Sequence, residues 1–292
     1  MSHQGDITED VRWITVKGQR IRCLDRGAGE VLLLLHGLTG YIEDWREVLG
    51  PLSRQYRVIA PDMLGSGRSD KPEGVDWTQD MLAQSVLDLV DALGIGAFHV
   101  GGYSMGGRLA LHLAHLAPGR VRSVVALAPA GIGQSTIFEF RAASVPVLGE
   151  VLTRPSMAGM KALGGKAAHD IARLGDAFLE HKLDMARAPG AQRAFLGMLR
   201  GMVRFGGFRP EVPQAARSWL PGIACPVLVI WGRNDRFLHH SHAEILRSGL
   251  PDVRVEYYDA CGHLAMLEHP DKVVRDMLGF LGTVPQAPSV SG

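Results

Sequence analysis

The sequence predicts an α/β fold in which a mainly parallel sheet is interrupted by a helical insertion. Over residues 31–130, short apolar runs alternate with longer helical patterns, as is typical of strands joined by crossover helices. The alternation stops between residues 131 and 212, where helical periodicity dominates, and resumes at Pro226. The chain has 292 residues, 46% of them hydrophobic, so it can bury a sizeable core.

The apolar runs give the predicted strand positions. A hairpin is predicted from residues 11–16 and 20–24 around Lys17-Gly18-Gln19. Further strands are predicted at residues 31–35, 57–60, 97–101, 121–127, 227–231 and 253–258, and helices at 79–93, 108–116, 170–186, 191–202 and 271–281. We therefore expect a core domain formed by residues 1–130 and 213–282 and a helical lid at 131–212. Residues 283–292, rich in proline and small polar residues, are expected to form a flexible tail.

Charge and cysteine content exclude several classes of protein. The 31 Lys and Arg residues are balanced by 30 Asp and Glu residues, which argues against a nucleic-acid partner. The three cysteines lie far apart in sequence, so neither a disulfide framework nor a zinc site is indicated. The longest purely aliphatic run, residues 31–35, is far shorter than a membrane span. We expect a cytoplasmic monomer or homodimer with no membrane partner and no metal.

The candidate nucleophile is Ser104, in the pentapeptide Gly102-Tyr103-Ser104-Met105-Gly106. In a chain with 36 glycines the bare G-x-S-x-G pattern is weak evidence. Its position between a predicted strand and a predicted helix is the context of a nucleophile elbow, where glycines on either side avoid backbone collisions. The alternative is a glycine-rich helix start that Ser104 caps.

An activated serine needs a histidine base and a carboxylate that holds the imidazole. In an open parallel sheet, the carboxyl ends of the strands meet at one crevice. His263 and Asp235 both follow predicted strands, so we expect them to complete a triad with Ser104. Asp259 is the fallback acid, and a turn aspartate is the alternative role of Asp235. The other histidines considered are worse placed: His269, and the group His239, His240 and His242, which we interpret as a solvated surface.

The oxyanion of a tetrahedral intermediate needs two N–H donors. One is expected from the backbone of Met105, directly after the nucleophile. The loop that follows the strand at residues 31–35 is expected to supply the other from Leu38, with Gly37 giving the turn its freedom. His36 is interpreted as a structural residue that braces this loop.

The chain resembles the α/β-hydrolase superfamily from about residue 11 to residue 281. The resemblance is carried by His36-Gly37, Asp62-Met63-Leu64-Gly65-Ser66-Gly67-Arg68-Ser69-Asp70, Gly102-Tyr103-Ser104-Met105-Gly106, Gly232-Arg233-Asn234-Asp235 and Gly262-His263. It implies an eight-stranded sheet, a helical lid inserted after the sixth strand, and a triad in the chain order Ser104, Asp235, His263. No cofactor is implied.

A serine at position 104 favours acyl chemistry over the family branches that use an aspartate there. The loop at residues 36–45 and Ser69-Asp70-Lys71-Pro72 resemble carbon–carbon bond hydrolases of aromatic degradation, which commonly have a tryptophan after the catalytic histidine, where this chain has Leu264. We therefore expect an esterase for a small, largely apolar acyl substrate. The alternatives are a carbon–carbon bond hydrolase acting on dienoate ring-fission products and a ligand-binding homologue with little turnover.

Overall fold

The computed structural model describes residues 7–285. Its strands are β1 (Val11–Val16), β2 (Gln19–Arg26), β3 (Val31–Leu35), β4 (Arg57–Pro61), β5 (Phe98–Tyr103), β6 (Val121–Leu127), β7 (Val203–Arg204), β8 (Gly207–Phe208), β9 (Val227–Gly232) and β10 (Val253–Tyr258). Its α-helices are α1 (Arg46–Ser53), α2 (Gln79–Ala92), α3 (Met105–Leu116), α4 (Phe138–Ala143), α5 (Leu148–Leu152), α6 (Met157–Ala167), α7 (Asp176–Arg187), α8 (Ala191–Met202), α9 (Glu211–Trp219), α10 (Ala243–Gly249), α11 (Ala265–Glu268) and α12 (Pro270–Leu281). Single turns of 3-10 helix lie at Ile7–Asp10, Ile42–Trp45, Ile171–Arg173, Leu220–Gly222 and His240–His242.

Eight strands form one sheet in the order β1-β2-β4-β3-β5-β6-β9-β10. Strand β1 pairs antiparallel with β2, and β2 pairs antiparallel with β4, while the six strands from β4 to β10 are parallel. The carboxyl ends of β5, β9 and β10 therefore lie at the same edge of the sheet. The predicted fold class, an α/β fold with an eight-stranded, mostly parallel sheet, is confirmed.

The central strands are buried on both faces because helices cover both sides of the sheet. In β3, Leu33 and Leu35 pack in the layer that contains α2 and α3, while Leu32 and Leu34 pack in the layer that contains α1 and α12. All six residues of β9 are buried. This explains why the strands appear in the sequence as continuous apolar runs without alternation.

The segment between β6 and β9 contains helices α4–α9 and a short hairpin formed by β7 and β8. The sequence predicted no strand here, which is wrong: two residues per strand are too few to produce a periodic signal, and the turn depends on Gly207, whose φ is +118°. Helix α9 runs across the predicted boundary between residues 212 and 213. We keep the name lid for residues 131–212, and the division into lid and core stays a prediction.

Several strands and helices begin or end a few residues away from their predicted positions. Strand β5 continues through Gly102 to Tyr103, and α3 begins at Met105, so the chain turns from strand to helix over one residue. Helix α7 starts at Asp176 and not at residue 170, because Asp170 caps a separate turn and Gly175 has a φ of +75°.

Most of the tail that we expect to be flexible, residues 286–292, lies outside the described residues. At the start of the tail, the N–H of Thr283 donates a hydrogen bond to the Phe280 carbonyl. None of the helices in residues 7–285 combines the length and the apolar character needed to cross a membrane.

Candidate active site

Ser104 occupies the sharp turn between β5 and α3. Its φ is +54° and its ψ is −120°, a conformation that a residue with a side chain rarely adopts. Backbone hydrogen bonds hold it there: the Ser104 N–H donates to the Leu127 carbonyl at 2.9 Å, and the Ser104 carbonyl accepts from the Ala130 N–H at 2.9 Å. The surroundings thus impose a strained backbone on the candidate nucleophile.

Glycines around this turn lie too close to neighbouring backbone to carry a side chain. A Cβ added at Gly102 would collide with the backbone of Gly106 and Gly107. One added at Gly106 would collide with the Leu35 carbonyl at the end of β3. The close approach of α3 to the carboxyl end of β3 therefore depends on the absence of a side chain at residue 106.

His263 and Asp235 form a buried pair at the carboxyl ends of β10 and β9. The Asp235 Oδ2 atom lies 2.7 Å from His263 Nδ1, and Oδ1 accepts the N–H groups of Phe237 and Leu238 at 2.8 and 2.9 Å. The Asp235 side chain is fully buried and that of His263 is 3% exposed. Because the carboxylate can only accept, we assign the proton to Nδ1, which leaves Nε2 as the basic nitrogen.

Ser104 lies near this pair but is not hydrogen-bonded to it. Within residues 7–285, no hydrogen bond joins the Ser104 hydroxyl to either ring nitrogen of His263. The imidazole packs instead against Phe237, with ring centroids 5.0 Å apart, and against Tyr103, at 6.4 Å. Tyr103 directly precedes Ser104, so the imidazole contacts the residue next to the candidate nucleophile. Catalytic hydrogen bonds are often loose before substrate binds.

Leu38 and Met105, the two expected oxyanion donors, line the same pocket as Ser104. Within residues 7–285 the Leu38 N–H donates no hydrogen bond, and Met105 is the first residue of α3, where helix geometry leaves the N–H unpaired. The loop is braced by fully buried His36. Its Nδ1 lies 2.7 Å from the Gly37 carbonyl, and its Nε2 accepts the Met63 N–H at 2.9 Å. Burial lowers the pKa of His36, so its ring stays neutral.

The rival residues are placed elsewhere. The Asp259 side chain is 88% exposed and pairs with Arg233, so it does not hold His263. His269 Nε2 contacts the Ala260 carbonyl at 3.0 Å, and His242 Nε2 contacts the Ser135 hydroxyl at 3.0 Å. Among the residues that the structure describes, no group of three or more His, Cys, Asp or Glu side chains could hold a metal ion.

The pocket in front of Ser104 is predominantly apolar. Of its described lining residues, only Ser104 and Thr136 have polar side chains and none is charged. The remaining lining residues come from the core and from the lid: Leu38, Met105, Ala130, Phe140, Leu199, Met202, Val203, Phe208, Phe237 and Leu238. Such a lining suits an uncharged acyl group.

A buried network that the sequence did not reveal joins the lid to the strand that carries Ser104. Asp44 is 1% exposed and accepts a hydrogen bond from the Tyr103 hydroxyl. Lys182, on lid helix α7, lies 3.0 Å from the Asp44 carboxylate and also donates to the Thr39 carbonyl at 3.0 Å. One ammonium group thus contacts both the loop that contains Leu38 and the carboxylate bound to Tyr103, the residue before Ser104.

Glu268 is a second link between lid and core. Its carboxylate accepts the Gly262 N–H at 2.8 Å and the His169 N–H at 2.6 Å, and the His263 N–H donates to the Ala167 carbonyl at 2.6 Å. Burial raises the pKa of Glu268. Its position five residues after His263, in a short helix that turns back toward the loop, is the signal that could have revealed this role.

Arg108, one turn after the nucleophile, contacts both ends of the lid. Its guanidinium is buried and donates to the Gly131 and Val212 carbonyls, each at 2.9 Å. Burial lowers the pKa of Arg108 to about 10, so the side chain is still a cation at neutral pH. Arg108, in α3, therefore hydrogen-bonds to both the first and the last residue of the lid.

Comparison with known proteins yields hydrolases. A family model described as alpha/beta hydrolase fold matches residues 30–157 and 165–270. A 2-hydroxy-6-oxo-6-phenylhexa-2,4-dienoate hydrolase from Burkholderia cepacia is 30% identical over 270 residues, covering 90% of this chain and 91% of that protein. A 2-hydroxymuconate semialdehyde hydrolase from Pseudomonas putida is 31% identical, and the match covers 92% of this chain and 93% of that protein. The crystal structure of a membrane phospholipase A matches with a TM-score of 0.79 at 26% identity, covering 95% of this chain and 87% of that one. The resemblance inferred from the motifs is confirmed.

Proposed function

Because the chain belongs to the alpha/beta hydrolase fold family, we propose that it is a serine hydrolase for small, largely apolar carboxylic esters. The observation that carries this choice is the uncharged pocket in which Ser104 lies together with two N–H donors. The His263–Asp235 pair supports it, since a buried carboxylate at 2.7 Å both orients the imidazole and stabilises its cation. The two related hydrolases from Burkholderia cepacia and Pseudomonas putida support hydrolase chemistry in general.

In the proposed reaction, Oγ of Ser104 bonds to the ester carbonyl carbon while Nε2 of His263 takes the hydroxyl proton. The N–H groups of Leu38 and Met105 bind the oxyanion. When the tetrahedral intermediate collapses, the carbon–oxygen bond to the alcohol breaks and His263 returns the proton to that alcohol. A water molecule then bonds to the acyl carbon while His263 takes one of its protons. The bond from that carbon to Oγ of Ser104 breaks, His263 returns the proton to Oγ, and the acid is released. Asp235 keeps the imidazole in the required tautomer throughout.

The second candidate is hydrolysis of a carbon–carbon bond in dienoate ring-fission products. It is favoured by the two relatives of this class, each about 30% identical over nearly the whole chain. A dienoate carries a carboxylate, and burying one without a cation is costly. The described pocket lining offers no cation, and Leu264 follows His263, so we rank the ester reaction first.

The two candidates are separated by kinetics on matched substrates. We expect p-nitrophenyl butyrate to be cleaved with a higher kcat/KM than 2-hydroxy-6-oxo-6-phenylhexa-2,4-dienoate, with both activities absent in Ser104→Ala. A higher kcat/KM on the dienoate would replace the ester assignment by the carbon–carbon one. Full turnover by Ser104→Ala would remove Ser104 from the chemistry, and no turnover of any substrate would favour a ligand-binding homologue.

A further inference from the structure

The lid carries an apolar face on its outside. In helix α5, Leu148, Val151 and Leu152 follow the i, i+3, i+4 spacing of one helical face, and all three are exposed, Leu152 by 55%. Val147 precedes the helix, is 76% exposed, and has a φ of +69°, which is strained for a β-branched residue. Four neighbouring aliphatic side chains thus point into solvent.

The other side of α5 is turned toward the protein. Gly149 is buried, with no room for a Cβ beside the Ala143 carbonyl. Glu150 pairs with Arg200 of helix α8, with both guanidinium nitrogens within 2.9 Å of its carboxylate. The only charged residue of α5 is thus half-exposed but paired with a neighbouring helix, and the rest of the exposed surface of α5 is aliphatic.

Two further exposed apolar residues of the lid are phenylalanines: Phe138 begins α4, the helix that packs against α5, and Phe205 lies in the turn between β7 and β8. Phe138 and Phe205 are 60% and 54% exposed, and their rings meet edge to face with centroids 6.3 Å apart. Residues close to both in sequence line the pocket: Phe140, two residues after Phe138, and Val203 and Phe208, on either side of the turn that holds Phe205. We call the set Phe138, Val147, Leu148, Val151, Leu152 and Phe205 the outer lid face.

Cations flank the outer lid face. Arg154 follows α5 by two residues, and Arg204 directly precedes Phe205; both are exposed, and within residues 7–285 neither forms an ion pair. The lid as a whole holds 11 Lys and Arg residues against 7 Asp and Glu residues. Apolar side chains that can enter an acyl-chain boundary, beside arginines that can bind headgroup phosphates, are the two components of binding to an anionic lipid surface.

We propose that the outer lid face docks on anionic lipid membranes and presents the pocket to esters held in them. This departs from the expectation of no membrane partner, which considered only segments that span a bilayer. The substrate part rests on the proposed function, because α4 and the β7–β8 hairpin, which carry part of this face, also supply lining residues to the pocket that contains Ser104. The docking part does not depend on catalysis.

Docking is tested by sedimentation of the full-length protein with phosphatidylcholine vesicles, with and without phosphatidylglycerol. We expect binding to the anionic vesicles that weakens with added salt. Val151→Gln/Leu152→Gln should weaken it by at least about tenfold, since two aliphatic side chains no longer enter the lipid. Arg154→Gln should weaken it by about fivefold on anionic vesicles only. Leu116→Gln, a comparably exposed leucine at the end of α3, and Arg54→Gln, an exposed arginine after α1, serve as controls and should bind as wild type does.

The outcomes separate docking from catalysis. Ser104→Ala should bind vesicles as wild type does, and the outer-face variants should cleave dissolved p-nitrophenyl butyrate at the wild-type rate. Vesicle binding without ester cleavage by the wild type would reject the proposed function and leave docking intact. Absence of vesicle binding, or equal losses in Leu116→Gln and the α5 variant, would overturn the proposal. The wild-type protein could instead form a concentration-dependent dimer without lipid that Val151→Gln/Leu152→Gln abolishes. That result would also overturn the proposal, because a second copy of the chain would then cover the outer lid face.

Discussion

The pair formed by Lys182 and Asp44 gives the sharpest quantitative prediction about how the lid is held. The Asp44 side chain is 1% exposed and that of Lys182 is 15% exposed, so each charge depends on the other. We expect Lys182→Met and Asp44→Asn each to lower the free energy of unfolding. The double variant should lose less of this free energy than the two single variants lose in total. The reason is that each single variant leaves the opposite charge buried without its partner.

The magnitude follows from what each variant leaves behind. Removing one member of a fully buried pair costs about 3–5 kcal/mol. Asp44 keeps the Tyr103 hydroxyl as a donor, and Lys182 keeps the Thr39 carbonyl and some contact with water, so we expect about 2–3 kcal/mol for each single variant. At this chain length that corresponds to a fall in Tm of about 3–5 °C. The coupling free energy of the pair should be about 1–2 kcal/mol.

The assay is a double-mutant cycle measured by urea denaturation and thermal unfolding. An exposed pair on the lid, Lys161 and Asp176, lies 3.4 Å apart with both side chains more than half exposed, and it provides the matched control. Its coupling should be about 0–0.5 kcal/mol. If the two cycles give the same coupling, the Lys182–Asp44 pair does not fasten the lid as we describe.

Three further variants test other parts of the structure. Gly106→Ala should abolish folded yield and ester turnover together, because its Cβ meets the Leu35 carbonyl. Gly119→Ala, at a position with open space around it, is the control and should change neither. An active Gly106→Ala protein would contradict the elbow geometry. Arg108→Met removes the guanidinium hydrogen bonds to the Gly131 and Val212 carbonyls and should cost about 2 kcal/mol and speed proteolysis within the lid. Unchanged cleavage rates would show that Arg108 does not hold the two ends of the lid. Burial raises the pKa of Glu268, so its contribution to stability is present in full below about pH 4.5 and is lost as the pH rises through the folded-state pKa. The unfolding free energy of wild type should therefore fall relative to Glu268→Gln as the pH rises to 7, and parallel curves would refute this.

The sheet and much of the site could be predicted from the sequence because they depend on short-range patterns. Continuous apolar runs mark buried parallel strands, and the topology of such a sheet brings its carboxyl ends to one edge. That reasoning was enough to select Asp235 and His263, which the structure places 2.7 Å apart. The hydrogen bond expected between His263 and Ser104 is not formed in the structure, since it depends on small side-chain adjustments that no sequence pattern records.

Features of the lid could not be predicted because they depend on how it packs. Lys182 and Asp44 are 138 positions apart in sequence, and no local pattern links them. Helix α5 has five residues, too few for periodicity to show which side faces solvent. The two-residue strands β7 and β8 give no alternation at all. In each case the decisive contacts are made between lid and core or between lid helices.

The most direct test of the proposed catalytic unit is covalent labelling with a fluorophosphonate, followed by mass spectrometry of the digested protein. We expect a single adduct on the peptide that contains Ser104. It should form at least about a hundredfold more slowly in His263→Gln, because the hydroxyl loses its base. His269→Gln, whose ring contacts the Ala260 carbonyl and the Tyr258 ring, should be labelled at the wild-type rate. An adduct on a different residue, or equal labelling rates in His263→Gln and wild type, would contradict the activation of Ser104 by His263.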